Sequence, residues 1–356
     1  MPKVIFYCSG GGYGHMARSD AAIYHLNKQS SEVILASKEP EWPFNQYSNF
    51  KYVRLTNVDA RTRFYNDQIK TQIWHGKNSD LSPYRKHLIE LFSLLEREKP
   101  NVVVVDSTPE IAVLAKLLGF KTIFVYETME MDRTELRFDL AWKNSDKIIF
   151  PYPEYFIEEM KFNYPQNTIN CGGYTRLEND QIRRREIEKG NILISFGKGE
   201  KSDAALKTLI KKLTEKFSKI SVLSGGIDIG KYSHLPVEFV KKDQNSVLEA
   251  LQKAEIYICG AGYNTLMEGF YLRKRIITIP LERPYNEQII KAKIFEKHGA
   301  LIMLMPEKAE NILGEVEKVM QISDVQIAEI HKEIVRGSGA KKAADAILEL
   351  ADGGKL

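Results

Sequence analysis

Short apolar runs alternate with amphipathic stretches from one end of the chain to the other, the pattern of strands joined by crossover helices in a parallel sheet. A first series of strands is predicted at residues 3–8, 32–36, 101–106, 121–126 and 147–150. A second follows at residues 191–196, 220–223, 237–241, 255–259, 275–280 and 300–304. Between them glycine and proline thicken over 163–174, and a charged stretch over 176–189 contains Arg183, Arg184 and Arg185. That composition marks a linker, its arginine run being ordinarily a solvated face. The expected division is an amino-terminal domain over 1–172, a linker over 173–190, a second domain over 191–338 and a terminal helix over 339–356.

Both halves open alike, with an apolar strand running into a glycine turn, from Val4 to His15 in the first and from Ile192 to Glu200 in the second. Shared openings favour an α/β fold of two similar Rossmann-like domains facing each other across a cleft, because such sheets bind ligands beyond the carboxyl ends of their strands. The length of 356 residues accommodates this, at about 150 residues per domain. Hydrophobic residues at 43% and charged residues at 28% exclude a disordered or low-complexity chain. A net charge of +4 is too even for a protein that coats nucleic acid. Cys8, Cys171 and Cys259 have neither the count of a disulfide framework nor the spacing of a zinc site, which fits a reducing, cytoplasmic compartment. No secretion signal and no uninterrupted apolar run of about 18 residues are visible.

Candidate chemistry gathers at two turns. The first, Ser9 to His15, follows a strand and precedes a helical pattern. Its glycines, Gly12 and Gly14 among them, let a phosphate or sugar approach the backbone, while the helix start offers free N–H groups. The dinucleotide fingerprint fails, since His15 stands where its third glycine would be, so no NAD or other cofactor is expected. An imidazole at a helix N-terminus is disfavoured in its protonated form, and a neutral one takes protons. His15 is therefore a candidate general base; the other reading is a histidine that only hydrogen-bonds a carbonyl at a tight turn. Arg18, one turn on, either faces the same opening and neutralises an anionic group or sits in water.

The second turn runs Cys259-Gly260-Ala261-Gly262 into a helix starting near Asn264 and Thr265, whose first N–H groups suit a diphosphate. Glu268 lies one helical turn on, placed to accept from the vicinal hydroxyls of a ribose; a solvent-facing glutamate is the alternative. After the next strand, Glu287 and Gln288 at a helix start are candidates for reading sugar hydroxyls, or are simply capping residues. The strand end near Val240 can offer backbone groups to a base, and Gly197-Lys198-Gly199 can meet phosphates.

Taken together, these residues resemble the GT-B glycosyltransferases, in particular the branch of the peptidoglycan N-acetylglucosaminyltransferase and the UDP-glycosyltransferases. The likeness spans nearly the whole chain and is most specific over Gly260 to Glu268, Pro280 and the pair Glu287-Gln288. It implies a nucleotide-sugar donor, UDP-linked and for example UDP-GlcNAc, held by the second domain. Arg18, Asp106 and Glu127 would lie on the acceptor side, and His15 would deprotonate an acceptor hydroxyl in an inverting transfer. Tyr126 departs from the acceptor-side His-Glu pair of the peptidoglycan enzyme, so the acceptor need not be the same, and Lys198 replaces a usual Ser or Thr. The helix over 340–352 resembles one that crosses back onto the first domain. No D-x-D occurs, leaving the metal-chelating pair of the other large glycosyltransferase fold without a candidate, and metal independence is expected.

Other functions compete. Gly12 to Arg18 is similar to the G-x-G-H-x-x-R of a GT-B-like nucleotide-sugar hydrolase, for which water is the acceptor. A 2-epimerase of similar fold would need cleft carboxylates that are not evident, and a non-catalytic nucleotide-sugar-binding subunit is the non-enzymatic alternative. Between Lys51 and Arg97, aromatic and basic residues alternate, including Arg61, Arg63, Phe64, Tyr65, Lys70, Trp74, Tyr84, Arg85 and Lys86. Such a mixture docks on anionic headgroups at the inner face of a membrane and feeds in a lipid-linked acceptor; an ordinary helical surface is the alternative.

Overall fold

A computed structural model of the chain describes residues 1–8, 13–41, 48–58, 82–128, 136–160, 164–179, 186–196, 200–223, 232, 234–241, 243–283 and 286–353. They form two compact units, Met1–Asn179 with Gly337–Leu356, and Asp180–Arg336. The first carries strands β1 (Lys3–Tyr7), β2 (Glu32–Ser37), β3 (Lys51–Arg54), β4 (Val102–Asp106), β5 (Thr122–Val125), β6 (Lys147–Phe150) and β7 (Thr168–Asn170). Its helices are α1 (Gly14–Lys28), α2 (Ser82–Glu98), α3 (Pro109–Leu117), α4 (Leu136–Asn144) and α5 (Tyr155–Glu159). The sheet order is β3-β2-β1-β4-β5-β6-β7, with every neighbouring pair parallel. β4, VVVVD, is buried along its whole length, as expected of a strand covered by helices on both faces.

The five strands expected in this half are found within one residue at each end. β3 and β7 were not among them. Both are edge strands, KYVR and TIN, with one neighbour each and no fully buried residue, so they lack the apolar run that marks a central strand.

The second unit carries β8 (Ile192–Ser195), β9 (Ile220–Leu223), β10 (Glu238–Val240), β11 (Ile256–Cys259), β12 (Arg275–Thr278) and β13 (Ile302–Met303). They form a parallel sheet in the order β10-β9-β8-β11-β12-β13. Its helices are α6 (Glu200–Leu213), α7 (Gln244–Lys253), α8 (Tyr263–Tyr271), α9 (Glu287–Lys297), α10 (Ile312–Met320) and α11 (Asp324–Ile334). Each sheet is wound outward in two directions. The order reverses between β1 and β4 in the first and between β8 and β11 in the second, and ligands of such sheets sit at that switch, beyond the strands' carboxyl ends. The glycine turns follow β1, β8 and β11.

The last helix, α12 (Gly339–Ala351), returns to the first unit, where Ala343, Ala344 and Ile347 share a buried cluster with Ala17, Ala21 and Met16 of α1. Its start is held close. A Cβ on Gly339 would stand 2.8 Å from Cβ of Tyr174 and 3.0 Å from two backbone oxygens, so only glycine fits. Glu178 accepts from the Ala340 N–H (3.2 Å) and the Thr175 N–H (3.1 Å), closing the helix end onto the segment that leaves this unit.

One buried imidazole in the second unit has a consequence for stability. His331 of α11 is 2% exposed, packs edge-on to Phe270 of α8, and bonds through Nε2 to the Ala300 carbonyl at 2.9 Å. Burial pushes its pKa down to about 4 from the ordinary 6.5. Its charged form is thus favoured in the unfolded chain, and stability present above about pH 6.5 is lost as pH falls toward 4. Urea titrations of wild type and His331→Asn at pH 7 and pH 4.5 should show the wild type losing more, by on the order of 3 kcal/mol at most.

Candidate active site

Two runs of residues far apart in sequence meet at the first switch. β1 leads into α1, whose second residue is His15, and β4, paired to β1, ends on Asp106. His15 Nδ1 and Asp106 Oδ1 are 2.7 Å apart. Burial opposes a charge on Asp106, which is 1% exposed, but the Arg18 guanidinium and His15 outweigh it and hold the carboxyl below the ordinary carboxylate range. An ionised carboxylate only accepts, so the proton of this bond belongs to His15 Nδ1, and in the neutral imidazole Nε2 is the nitrogen that carries the lone pair. The side chain of His15 is 24% exposed, so the pair has one buried and one accessible end.

Arg18 stands one turn below His15 and is 2% exposed. It donates from Nε to Asp106 Oδ2 (3.0 Å), from Nη2 to Oδ1 of the same group and to Ser107 Oγ (2.9 Å), and from Nη1 to Glu127 Oε2 (2.9 Å). Glu127 follows β5; its other oxygen accepts from the Tyr152 hydroxyl and from the Thr128 N–H (3.1 Å). Ser107 takes a left-handed backbone, φ 57°, unusual for a residue with a Cβ, and its hydroxyl lies 2.9 Å from Asp106 Oδ1. Arg18, expected either to face the opening and neutralise an anionic group or to sit in water, spends its charge on two carboxylates of the protein. Asp106, assigned to the acceptor side, is the buried partner of His15. Glu127, assigned to the same side, is engaged at both oxygens by Arg18, Tyr152 and Thr128.

In the second unit, α8 begins directly after β11 and the turn Gly260-Ala261-Gly262, with Gly262 as N-cap and no side chain capping it. Among the described residues, a Cβ on Gly260 would meet nothing nearer than 3.7 Å and one on Gly262 nothing nearer than 3.6 Å, and neither has a positive φ. The fold itself does not require glycine at either place. Gly269 differs: a Cβ there would fall 2.8 Å from Ile276 and 3.2 Å from Tyr257, so its absence lets α8 lie close on β11 and β12. That seating places Glu268, 8% exposed, on the same helix face as the half-buried Asn264, with Thr265 beside it.

Gln288, in the first turn of α9, is 6% exposed, and its side-chain oxygen accepts from the Ala261 N–H (3.2 Å) and the Leu281 N–H (2.9 Å). It ties the turn after β11 to the turn after β12, leaving its –NH2 as the donating end. Glu287 meets the buried ammonium of Lys291, one turn on. Val240 ends β10 and is 8% exposed. Gly14 begins α1. Gly12, Gly197 and Lys198 lie outside the described residues, as do Arg183 to Arg185 and Arg61, Arg63, Phe64, Tyr65, Lys70 and Trp74.

Residues 186–347 match the family model of the glycosyltransferase family 28 C-terminal domain, the part that contains α8 and α9. The fold of the whole chain superposes on the glycotransferase of kitacinnamycin with a TM-score of 0.71, at 14% identity, over 98% of this chain and 99% of that one. The fold is the GT-B fold, and its carboxy-terminal part is a glycosyltransferase family 28 domain. The chain is 28% identical over 206 residues to an uncharacterized UDP-glucosyltransferase, YojK, of Bacillus subtilis (strain 168). That match covers 56% of the chain and about half, 49%, of the relative. It is 26% identical over 340 residues to the UDP-N-acetylglucosamine--N-acetylmuramyl-(pentapeptide) pyrophosphoryl-undecaprenol N-acetylglucosamine transferase of Geobacillus kaustophilus (strain HTA426), over 87% of this chain and 88% of that one.

The Gln288 staple makes a stability prediction. Gln288→Leu leaves two buried N–H groups without their acceptor and should lower the unfolding free energy by about 1–3 kcal/mol in a urea titration. An unchanged midpoint would mean that water reaches both amides.

Proposed function

We propose that the enzyme transfers a sugar from a UDP-sugar, such as UDP-GlcNAc, to an acceptor hydroxyl, with inversion at the anomeric carbon and without a metal ion. The observation that carries the catalytic part is the His15–Asp106 bond at the first switch point. With Nδ1–H given to Asp106, Nε2 takes the acceptor's proton as its oxygen attacks the anomeric carbon. The carbon–oxygen bond to the nucleotide diphosphate breaks on the opposite face, which inverts the centre. The imidazolium formed is stabilised by the carboxylate behind it. Gly12 and Gly14 are assigned to the donor.

For the donor, the support is the pair of glycines that the fold does not need. Room above Gly260 and Gly262 at the N-terminus of α8 suits a diphosphate, whose charge the helix dipole favours. Asn264, Thr265 and Ala261 are assigned to the same group, and Gly197 and Lys198 to its phosphates. Glu268 takes the ribose hydroxyls, the Val240 strand end takes the base, and the Gln288 amide with Glu287 reads the sugar. Metal independence rests on the absence of any D-x-D.

The acceptor proposed is lipid-linked, and the enzyme is placed at the inner face of an anionic membrane. On α2, Ile89 and Phe92 are 65% and 43% exposed, and Arg85 lies on the same face with Lys86 adjacent. Among the described residues no helix is long and apolar enough to cross a membrane, so contact of this kind is peripheral.

Two experiments test these proposals. With UDP-sugar and a panel of hydroxyl acceptors, His15→Ala should lose at least about a hundredfold in kcat while binding UDP as the wild type does, and EDTA should leave wild-type turnover unchanged. Unimpaired turnover by His15→Ala, or activity lost to EDTA and restored by Mg²⁺, would contradict the mechanism. Sugar release at full rate without acceptor would mark a hydrolase instead. In sedimentation with phosphatidylglycerol vesicles at low salt, Ile89→Ser/Phe92→Ser should bind several-fold more weakly than wild type; equal partition would remove α2 from the membrane surface.

A further inference from the structure

Arg18 is the largest buried charge near His15, and the proposed transfer gives it nothing to do. It is 2% exposed, with its guanidinium turned onto Asp106, Ser107 and Glu127. We infer that Arg18 is a positioning residue that acts through Asp106 on His15, and that Glu127 and Tyr152 hold it in place for that purpose. The inference rests on His15 being the base of the proposed transfer.

The geometry carries it in three steps. First, a lone carboxylate at the end of β4 would turn about its terminal torsion, which is broad and weakly preferred. Arg18 prevents this by donating to both oxygens, Nε to Oδ2 and Nη2 to Oδ1, in the fork that matches a carboxylate plane. Oδ1 then has a set direction, and it is the oxygen that His15 Nδ1 meets at 2.7 Å. Because His15 and Arg18 are three residues apart on α1, one helix face delivers both donors to one carboxylate.

Second, the fork itself is fixed. Nη1 is spent on Glu127 Oε2 at 2.9 Å, and Glu127 is braced by the Tyr152 hydroxyl and the Thr128 N–H. Those anchors come from the ends of β5 and β6, so three further strand ends, β4 included, converge on α1. Third, charge is balanced for the proton transfer. Among the described residues, one guanidinium and two carboxylates leave the cluster with one negative charge, which the imidazolium formed at His15 neutralises. Arg18 without Glu127 would cancel Asp106 and leave the imidazolium no net counter-charge.

A lysine at 18 offers one nitrogen and cannot span Asp106 and Glu127 together, so Arg18→Lys keeps the charge and removes the fork. It should lower kcat roughly ten- to a hundredfold, with the KM for donor and for acceptor within about twofold of wild type. In a His15→Ala background the same change should cost less than about twofold, because a residue acting through His15 has nothing left to position. The low-field proton resonance of the His15–Asp106 bond, assigned by its loss in His15→Ala, should shift or disappear in Arg18→Lys. Tyr152→Phe, the mildest variant, should move that resonance in the same direction with a smaller loss of kcat, and it serves where Arg18→Lys does not fold. A resonance unmoved in the folded variants, or an equal loss of kcat with and without His15, overturns the inference. Should His15→Ala turn over normally, the base assignment fails, while the resonance still decides whether Arg18 holds the pair.

Discussion

A carboxylate buried at the end of a strand has to stay ionised in a place where burial opposes its charge, and the first unit is arranged around that demand. Asp106 terminates four consecutive valines, in the middle of the sheet, at 1% exposure. An unpaired carboxylate there would take up a proton rather than bear the loss of solvent. What holds it ionised comes from α1: a guanidinium in fork geometry and an imidazole N–H. The consequence reaches the surface through the imidazole, because an acceptor-only partner fixes which of its nitrogens carries the proton. Tautomer, orientation and basic nitrogen of His15 all follow from one buried charge.

The fold was legible because its strands are buried on both faces and so announce themselves as apolar runs; the central ones, such as VVVVD and IYIC, end where their side chains stop being apolar. The two edge strands of the first sheet escaped, since KYVR and TIN have a neighbour on one side only and carry no such run. His15 and the Gly260 to Glu268 turn were legible through local grammar alone, a strand, small residues and a helix start. The partner of His15 was not. Asp106 lies 91 residues away, and nothing in either segment says that β4 pairs with β1. Only the reversal of strand order makes them neighbours. The same holds for Arg18, which reads locally as a surface cation on an amphipathic helix and is instead closed over by two strand ends.

Gln288 shows a subtler failure of sequence reasoning. A polar residue at a helix start next to a proposed sugar site reads as a hydroxyl ligand, and its amide remains suited to that. Its oxygen, however, accepts from two backbone N–H groups in turns 20 residues apart, those of Ala261 and Leu281. The side chain that would read the substrate is thereby also the one that sets the distance between the two turns. Such double duty has no local signature, because the donors it satisfies are backbone groups present at every residue.

The two switch points solve opposite electrostatic problems with the same topology. At the first, charged side chains converge, and in the proposed transfer their job is to make one nitrogen basic, which needs a net negative surrounding held rigidly and out of water. At the second, the turn between β11 and α8 holds no charged side chain at all: Gly260, Ala261 and Gly262 are braced by a neutral amide, and the helix N-terminus is left uncapped by any side chain. A carboxylate in that turn would be attracted by the same N–H groups and would compete with a diphosphate for them. Neutral bracing keeps the turn in shape at the cost of one donor, the Ala261 N–H, and places no charge there. Acidic residues are present, but set back, Glu268 one turn along α8 and Glu287 against Lys291, where they are suited to uncharged hydroxyls rather than to phosphate. The separation of roles follows from charge: a site that makes a base and a site that receives an anionic leaving group cannot use the same side chains, and a chain with two similar sheets has two switch points at which to keep them apart.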